Sequence, residues 1–435
     1  MSGVAPAIRR VVVGVSGGVD SAVTAHLLKR RGFEVVGCFM RNWDLHEESS
    51  PELACSADRD HLDAQRVCDR LGVELHQVDF VKDYWNDVFL YTLSSFSAGR
   101  TPSPDVLCNR LIKFGTFQQH CLERLGADAV ATGHYCRSSW GDYLERRPTH
   151  WRSQCSESSE KVRLLCAADS YKDQTYFLSR VEERALRSAM FPLGSLYKED
   201  VKRMASAIGL DFLVSKREST GLCFVGKRRS FSRFLRQYSN SPRCDVVDVD
   251  TLEKIGTIDG VSALVCGKRL PIAGVPHGCH VVRVDKANNV VYACNGVTHP
   301  ALFSREVLVE GLHWIAGSSP LHDGQAILAC KGQRLVGEPA TACTLHPLAD
   351  QRFFKVLTKK PICAVTPGQF MVFYAGDECL GSAEICVART LAEERAGEEP
   401  FSDYIAAAAT LANRDAAFLP RTQSYESGTK IAVFS

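Results

Sequence analysis

The chain has 435 residues, enough for two to four domains, and its 45% apolar and 23% charged residues are those of a folded protein rather than a disordered or fibrous one. Its net charge of +2, from 52 Lys and Arg against 50 Asp and Glu, excludes a protein that binds polyanions through overall charge alone.

A buried strand is predicted over Val11 to Val15, running through Ser16-Gly17-Gly18-Val19-Asp20-Ser21 into a helix that passes Leu27 and Leu28. A second strand, Glu34 to Met40, follows at once. Asp58 to Leu71 reads as a helix with Leu62, Gln65, Val67, Cys68 and Leu71 on one flank, and Glu74 to Val78 as a third strand. Ala127 to Thr132 is another buried strand, ending in Gly133-His134-Tyr135. Strands alternating with helices across short turns imply βαβ units, hence an α/β fold with a parallel sheet and helices on both faces.

Near Ile208 the texture changes. Residues 211–297 mix a short basic helix with turns and brief strands, and Phe303 to Val387 is a series of short strands separated by Gly, Pro and Asp, the pattern of a small β-barrel or sandwich. Ala388 to Ser435 is acidic at first and then alanine-rich, an appended helix or a partly disordered tail. The expected units are therefore 1–210, 211–297, 298–390 and a tail, 391–435.

Eighteen cysteines raise the question of disulfides or metal. The first ten residues have no apolar signal core, and the nearest cysteine pair, Cys379 and Cys386, is too widely spaced for a zinc or iron-sulfur knuckle. The longest candidate membrane stretch, Ile405 to Ala412, is far too short. The expectation is a soluble protein in a reducing compartment, with mostly free thiols and no metal site.

Two regions carry chemistry. Ser16 to Ser21 lies at a strand-to-helix turn, where glycines let the backbone approach a ligand and open helix N–H groups attract an anion. It lacks the Lys of a Walker loop and the Gly spacing of a dinucleotide fold, and instead offers hydroxyls and a carboxylate suited to pyrophosphate and Mg²⁺. The second region is basic: Ser215 to Arg236 carries net +6 and surrounds Cys223, an electrostatic footprint for nucleic acid.

Ser16-Gly17-Gly18-Val19-Asp20-Ser21 resembles the PP-loop of ATP pyrophosphatases. Further stretches resemble the tRNA-specific 2-thiouridylases: Phe39-Met40-Arg41-Asn42-Trp43, Thr101-Pro102-Ser103-Pro104-Asp105 with Cys108-Asn109-Arg110, Ala131-Thr132-Gly133-His134-Tyr135, Lys172-Asp173-Gln174, Phe191-Pro192-Leu193-Gly194 and Ser219-Thr220-Gly221-Leu222-Cys223-Phe224. The similarity runs to about residue 388 and looks closest to the mitochondrial members over Val81 to Phe89 and Ala168 to Val181. It implies a PP-loop (adenine nucleotide alpha hydrolase-like) domain, a mixed central domain and a C-terminal β-barrel. It departs at Leu264 to Arg269, where the family has a Thr-Leu-Gly-Gln-Arg-like stretch, and the tail has no counterpart.

The implied activity is ATP-dependent 2-thiolation of the wobble uridine of tRNA. The C2 carbonyl of uridine is urea-like and its oxygen a poor leaving group, so sulfur can replace it only after activation, which adenylation supplies. A thiol-borne persulfide then attacks, and a second thiol resolves. By the resemblance Cys223 carries the persulfide, and Cys108 frees the product by a transient disulfide with it; family accounts give Cys108 the label of nucleophile. Cys108 is expected at a helix N-terminus beside Arg110 and Lys113, a setting that favours thiolate. Asp105 would orient Cys108 or act as acid and base.

The resemblance further assigns Gly14, Val15, Ser16, Gly17, Gly18, Val19, Asp20 and Ser21 to ATP, with Met40 and Gly133 lining the adenosine pocket. It assigns Ser103, Pro104, His134, Lys172, Asp173, Gln174 and Gln369 to tRNA. The implied cofactors are ATP and Mg²⁺, and the implied partners are tRNA and an upstream sulfur donor, a persulfide carrier protein or cysteine desulfurase. A monomer in the mitochondrial matrix is expected, with the cytoplasm as the other compartment weighed. The rival functions are a PP-loop adenylating amidotransferase or ligase, which needs no cysteine pair, and a non-catalytic tRNA-binding protein.

Overall fold

The computed structural model describes residues 8–43, 55–148, 160–216, 243–259, 264–319, 326–331, 340–348 and 352–412. Cys223 and the basic residues from Arg217 to Arg236 lie outside these.

The first unit opens with β1 (Arg10–Gly14), α1 (Val19–Arg30), β2 (Glu34–Arg41), α2 (Cys55–Leu71) and β3 (Glu74–Asp79). Helical segments α3 (Val81–Tyr84), Trp85–Phe89 and α4 (Leu90–Ser97) follow; then α5 (Pro104–Leu107) runs without a break into a wider helical stretch, Cys108–Phe117, and α6 (Gln118–Glu123). After β4 (Ala129–Ala131) come β5 (Arg137–Ser138), β6 (Leu164–Leu165), α7 (Thr175–Leu178), α8 (Glu183–Leu186), β7 (Ala189–Met190), α9 (Lys198–Ala207) and α10 (Asp211–Val214).

The strands β3-β2-β1-β4-β7 form one sheet, and every pairing in it is parallel. Because successive side chains point to opposite faces, Val11 and Val13 enter one core with Leu28 and Phe114, while Val12 enters another with Val36, Cys38 and Ile112. Strand order reverses between β1 and β4, which opens a crevice at the carboxyl ends of those strands. On α2 the inward stripe is Ala64, Val67 and Cys68. Leu62 is 60% exposed and Gln65 is exposed, so these two members of the expected flank are corrected, while Val67 and Cys68 are buried as expected.

The central sheet comprises β8 (Arg243–Asp248), β9 (Lys254–Asp259), β10 (Arg269–Leu270), β11 (Cys279–Asp285) and β12 (Val290–Asn295) in the order β10-β11-β12-β8-β9. Six further strands close on themselves: β13 (Phe303–Trp314), β14 (Ala326–Lys331), β15 (Thr341–Pro347), β16 (Phe353–Cys363), β17 (Phe370–Ala375) and β18 (Glu378–Thr390). The order β13-β16-β15-β14-β17-β18, with β18 pairing back to β13, makes a barrel filled by Val309, Leu345, Val356, Met371, Phe373 and Ile385. Two helices end the described chain, Leu391–Ala396, started by a capping box between Thr390 and Glu393, and Pro400–Ala412, whose Phe401 packs on Leu308 and Phe353.

Among the described residues, three of the seams that tie the barrel to the first unit bear on the site. β18 pairs with β6, Cys379 opposite Leu164. Arg100 is ion-paired with Glu384 of β18 and lies 3.7 Å from Glu310 of β13, and the Tyr91 hydroxyl donates to Glu384 at 3.2 Å. Thr101 N donates to the Pro367 carbonyl at 2.8 Å, where Gly368 turns at φ +90° and a Cβ would come 2.9 Å from Thr101 N. Gly368→Ala is therefore expected to cost about 1 to 3 kcal/mol through left-handed strain and the clash with Thr101, read as a lower midpoint in urea unfolding; an unchanged midpoint would contradict this packing.

Candidate active site

The turn Ser16–Ser21 stands at the crevice, between the end of β1 and the start of α1. Gly17 adopts φ +70°, and a Cβ there would overlap the Asp60 carbonyl of α2. On the other side a Cβ on Gly133 would lie 2.9 Å from Ser21 N and 3.0 Å from the Asp20 Cβ. The loop is thus clamped between two backbones, and only glycine fits at either place. Ser21 Oγ accepts from Ser16 N at 3.1 Å and donates to the Gly18 carbonyl at 3.0 Å, which folds the turn over the helix start. The first N–H groups of α1 have no partner within the helix, so the turn presents donors to an anion.

Met40, at the end of β2, is 3.7 Å from a Cβ position on Gly14, with Phe117 beside it. Gly14, Val15, the turn, Met40 and Gly133 therefore gather around the carboxyl end of β1. Backbone already fills the places that side chains at Gly17 and Gly133 would take, so these two positions pack the turn against α2 and the end of β4 rather than line a cavity.

Asp20 shows partners that sequence reasoning missed. Both of its oxygens accept from Lys198 Nζ at 2.7 Å, and Oδ1 also accepts from the Tyr135 hydroxyl at 2.8 Å. Lys198 begins α9, and its side chain is only 7% exposed. Asp20, the carboxylate expected to serve Mg²⁺, is thus paired with lysine and tyrosine in this structure. The signal for Lys198 in the sequence is weak, a lone basic residue at a helix start where acids are usual. Among the described residues no group of three or more His, Cys, Asp or Glu is placed to hold a metal ion.

The second half of the site is the segment from Thr101 to Cys108. The helix begins at Pro104, one turn earlier than expected, with Ser103 at its N-cap position. Cys108 is therefore in the second turn, not at the N-terminus, and at 3% exposure it packs with Val12, Val36 and Ile112. Asp105, three residues earlier, shares its helix flank. Burial pushes the Asp105 carboxyl up to about 6, with Lys113 pulling partly the other way. An acid with that value exchanges protons near neutral pH. On either side of Cys108, Ser103 Oγ and Asn109 Oδ1 are buried and have no hydrogen-bond partner among the described residues, polar capacity that a substrate group could satisfy.

The expected RNA-contacting residues divide. Ser103 and Pro104 adjoin Asp105, and Gln369 lies in the barrel turn that packs on Thr101. Asp173 and Gln174 also hold the fold: Asp173 accepts from Ala167 N and the Thr175 hydroxyl, and Gln174 Oε1 accepts from Tyr135 N. Lys172, next to them, is half-buried. His134 is buried, bonded to the Thr132 hydroxyl at 2.8 Å, and burial with Lys113 nearby holds it well below the usual histidine range, so it is neutral. Most other described cysteines are core residues; burial pushes the Cys68 thiol up to about 11 and the Cys294 thiol up to about 12.

The structure thus defines a nucleotide-binding α/β domain of the HUP class joined to a small barrel. Residues 9–227 match the family described as tRNA methyl transferase HUP domain, and residues 304–385 the family described as aminomethyltransferase beta-barrel domain. The chain is 43% identical over 390 residues to the mitochondrial tRNA-specific 2-thiouridylase 1 of Drosophila melanogaster, covering 89% of this chain and 97% of that one. It is 41% identical to the Homo sapiens protein of the same name, covering 87% and 90%, and 40% identical to the tRNA-specific 2-thiouridylase MnmA of Pectobacterium carotovorum, covering 87% and 97%. The chain belongs to the tRNA-specific 2-thiouridylase family.

The raised value of Asp105 means that the fold favours its protonated form. That contribution to stability is complete below the ordinary value of 3.8 and is lost as pH rises through about 6. Asp105→Asn, which keeps the neutral form at all pH, should melt above wild type near pH 8 and converge with it in acid, while losing thiolation activity. Equal melting temperatures across that range would contradict the burial of this carboxylate.

Proposed function

We propose that the chain uses ATP to exchange the C2 oxygen of the wobble uridine of tRNA for sulfur. The observation that carries this reading is the glycine-clamped turn after β1, linked to the segment holding Asp105 and Cys108 through Lys113, whose charge acts on both Asp105 and His134, the neighbour of Gly133. The turn takes the triphosphate, and the α-phosphate meets the C2 oxygen of a base held by Ser103, Pro104 and Asp105. The C2 oxygen bonds to the α-phosphorus and pyrophosphate leaves. A Cys223 persulfide then attacks C2 with its outer sulfur and AMP departs with the former C2 oxygen. Cys108 attacks the Cys223 sulfur, so that the S–S bond passes to the two cysteines and the thiolated base is released; an external thiol restores the pair.

Asp105, with its value near 6, can take the proton of the Cys108 thiol and return it. Mg²⁺ fits as an ion bound mainly through phosphate oxygens and water, the mode usual for nucleotide sites, with Asp20 the carboxylate at hand once Lys198 turns to the phosphates. RNA phosphates find cations at the seam between first unit and barrel, where Arg180 donates to the Gly311 carbonyl at 3.0 Å and lies over Phe370, with Lys172 on the adjoining turn. A wobble base is unstacked, so drawing it into the crevice is inexpensive. We place this activity in a monomer of the mitochondrial matrix, supplied by a persulfide carrier protein or cysteine desulfurase, because the animal relatives above carry mitochondrial names.

Cys108→Ser and Cys223→Ser should each reduce 2-thiouridine formation by roughly a thousandfold or more, the loss usual for a group that bonds covalently in the reaction, while leaving tRNA binding intact. Full activity in either variant would remove the persulfide route and favour an adenylating ligase. Mass spectrometry of wobble uridines from mitochondrial and cytosolic tRNA of depleted cells, kept separate, reads the compartment.

A further inference from the structure

Lys216 takes no part in the chemistry above, yet it reaches the back of the phosphate turn. Its Nζ donates to the Gly17 carbonyl at 2.9 Å, to Asp60 Oδ1 at 2.7 Å and to Asp63 Oδ2 at 2.7 Å. Asp60 and Asp63 are three residues apart on α2 and so share a face. Asp60 is also the residue whose carbonyl fills the place of a Gly17 side chain. One ammonium therefore stands where the turn, α2 and the end of α10 converge.

The geometry of a peptide makes this contact consequential. In a trans peptide the carbonyl of Gly17 and the N–H of Gly18 point in opposite directions. A Gly17 carbonyl drawn toward Lys216 on the α2 side turns the Gly18 N–H the other way, to join the open N–H groups at the start of α1. With glycine on both sides this peptide is the one in the turn with least steric resistance to flipping. A flip would aim a carbonyl dipole at the phosphates in place of a donor.

We infer that Lys216 is a positioning residue for ATP, which holds the Gly17–Gly18 peptide in the orientation that donates to the phosphates. The two aspartates fix the ammonium in place and offset its charge, so that it acts through the peptide and not as a phosphate ligand. A plain ion pair on the surface of α2 would contribute little and would not discriminate between substrates. The inference rests on ATP binding at Ser16–Ser21, and its test separates the two ideas.

In the full-length protein, Lys216→Met should raise the KM for ATP roughly tenfold, with kcat at saturating ATP within about threefold and the KM for tRNA unchanged. Lys216→Arg, which keeps a donor able to reach Gly17, should recover most of the loss. Asp63→Asn, a milder change that leaves the lysine one anchor, should raise the KM for ATP about two- to threefold and serves if Lys216→Met does not fold. An unchanged KM for ATP in Asp63→Asn and in any folded Lys216→Met, or a fall in kcat alone, would overturn the inference. Thiolation by the wild type that needs no ATP would instead overturn the nucleotide reading on which it stands.

Discussion

The structure depends on a turn with no room for side chains. Between β1 and α1 the backbone passes the Asp60 carbonyl on one side and the α1 start meets Gly133 on the other, so that Gly17 and Gly133 are squeezed from opposite directions. That compression brings the end of β4 against the first turn of α1 at the point where strand order reverses. The donors of the helix start therefore face the crevice, and everything that reacts must come to them.

What comes is the segment before Cys108, held by the barrel at its start and by the sheet at its end, where Cys108 packs with Val12 and Val36. Thr101 is bonded to Pro367, its neighbour Arg100 is paired with Glu384, and the helix that follows starts immediately at Pro104. The barrel thus helps set the position of Ser103, Asp105 and Cys108. The same contacts explain why Cys108 is buried: the chain enters the helix from a fixed loop and turns its thiol into the core beneath β1.

The legible parts of this architecture are those where local pattern and tertiary demand agree. Val11 to Val13 are buried on both faces, and such a run followed by two glycines and a helix has few other solutions. The barrel was visible as short strands, although its closure by β13 and β18 was not, since pairing partners about 80 residues apart leave no local trace. Leu62 shows the opposite failure: an apolar residue at plausible spacing on α2 is exposed because the stripe that meets the sheet is Ala64, Val67 and Cys68. In the site, Asp105 and Cys108 could be found from their turn and spacing, but the helix start at Pro104 could not. Lys198 and Lys216 act on Asp20 and Gly17 across 178 and 199 positions, contacts that only the fold creates.

The central claim is that the turn delivers the α-phosphate to the C2 oxygen of the target uridine. The direct measurement uses tRNA carrying ¹⁸O at C2 of the wobble uridine, with ATP and a persulfide source, and weighs the AMP formed. The account predicts AMP heavier by one ¹⁸O for each sulfur gained by the tRNA. Unlabelled AMP alongside thiolated tRNA would contradict it.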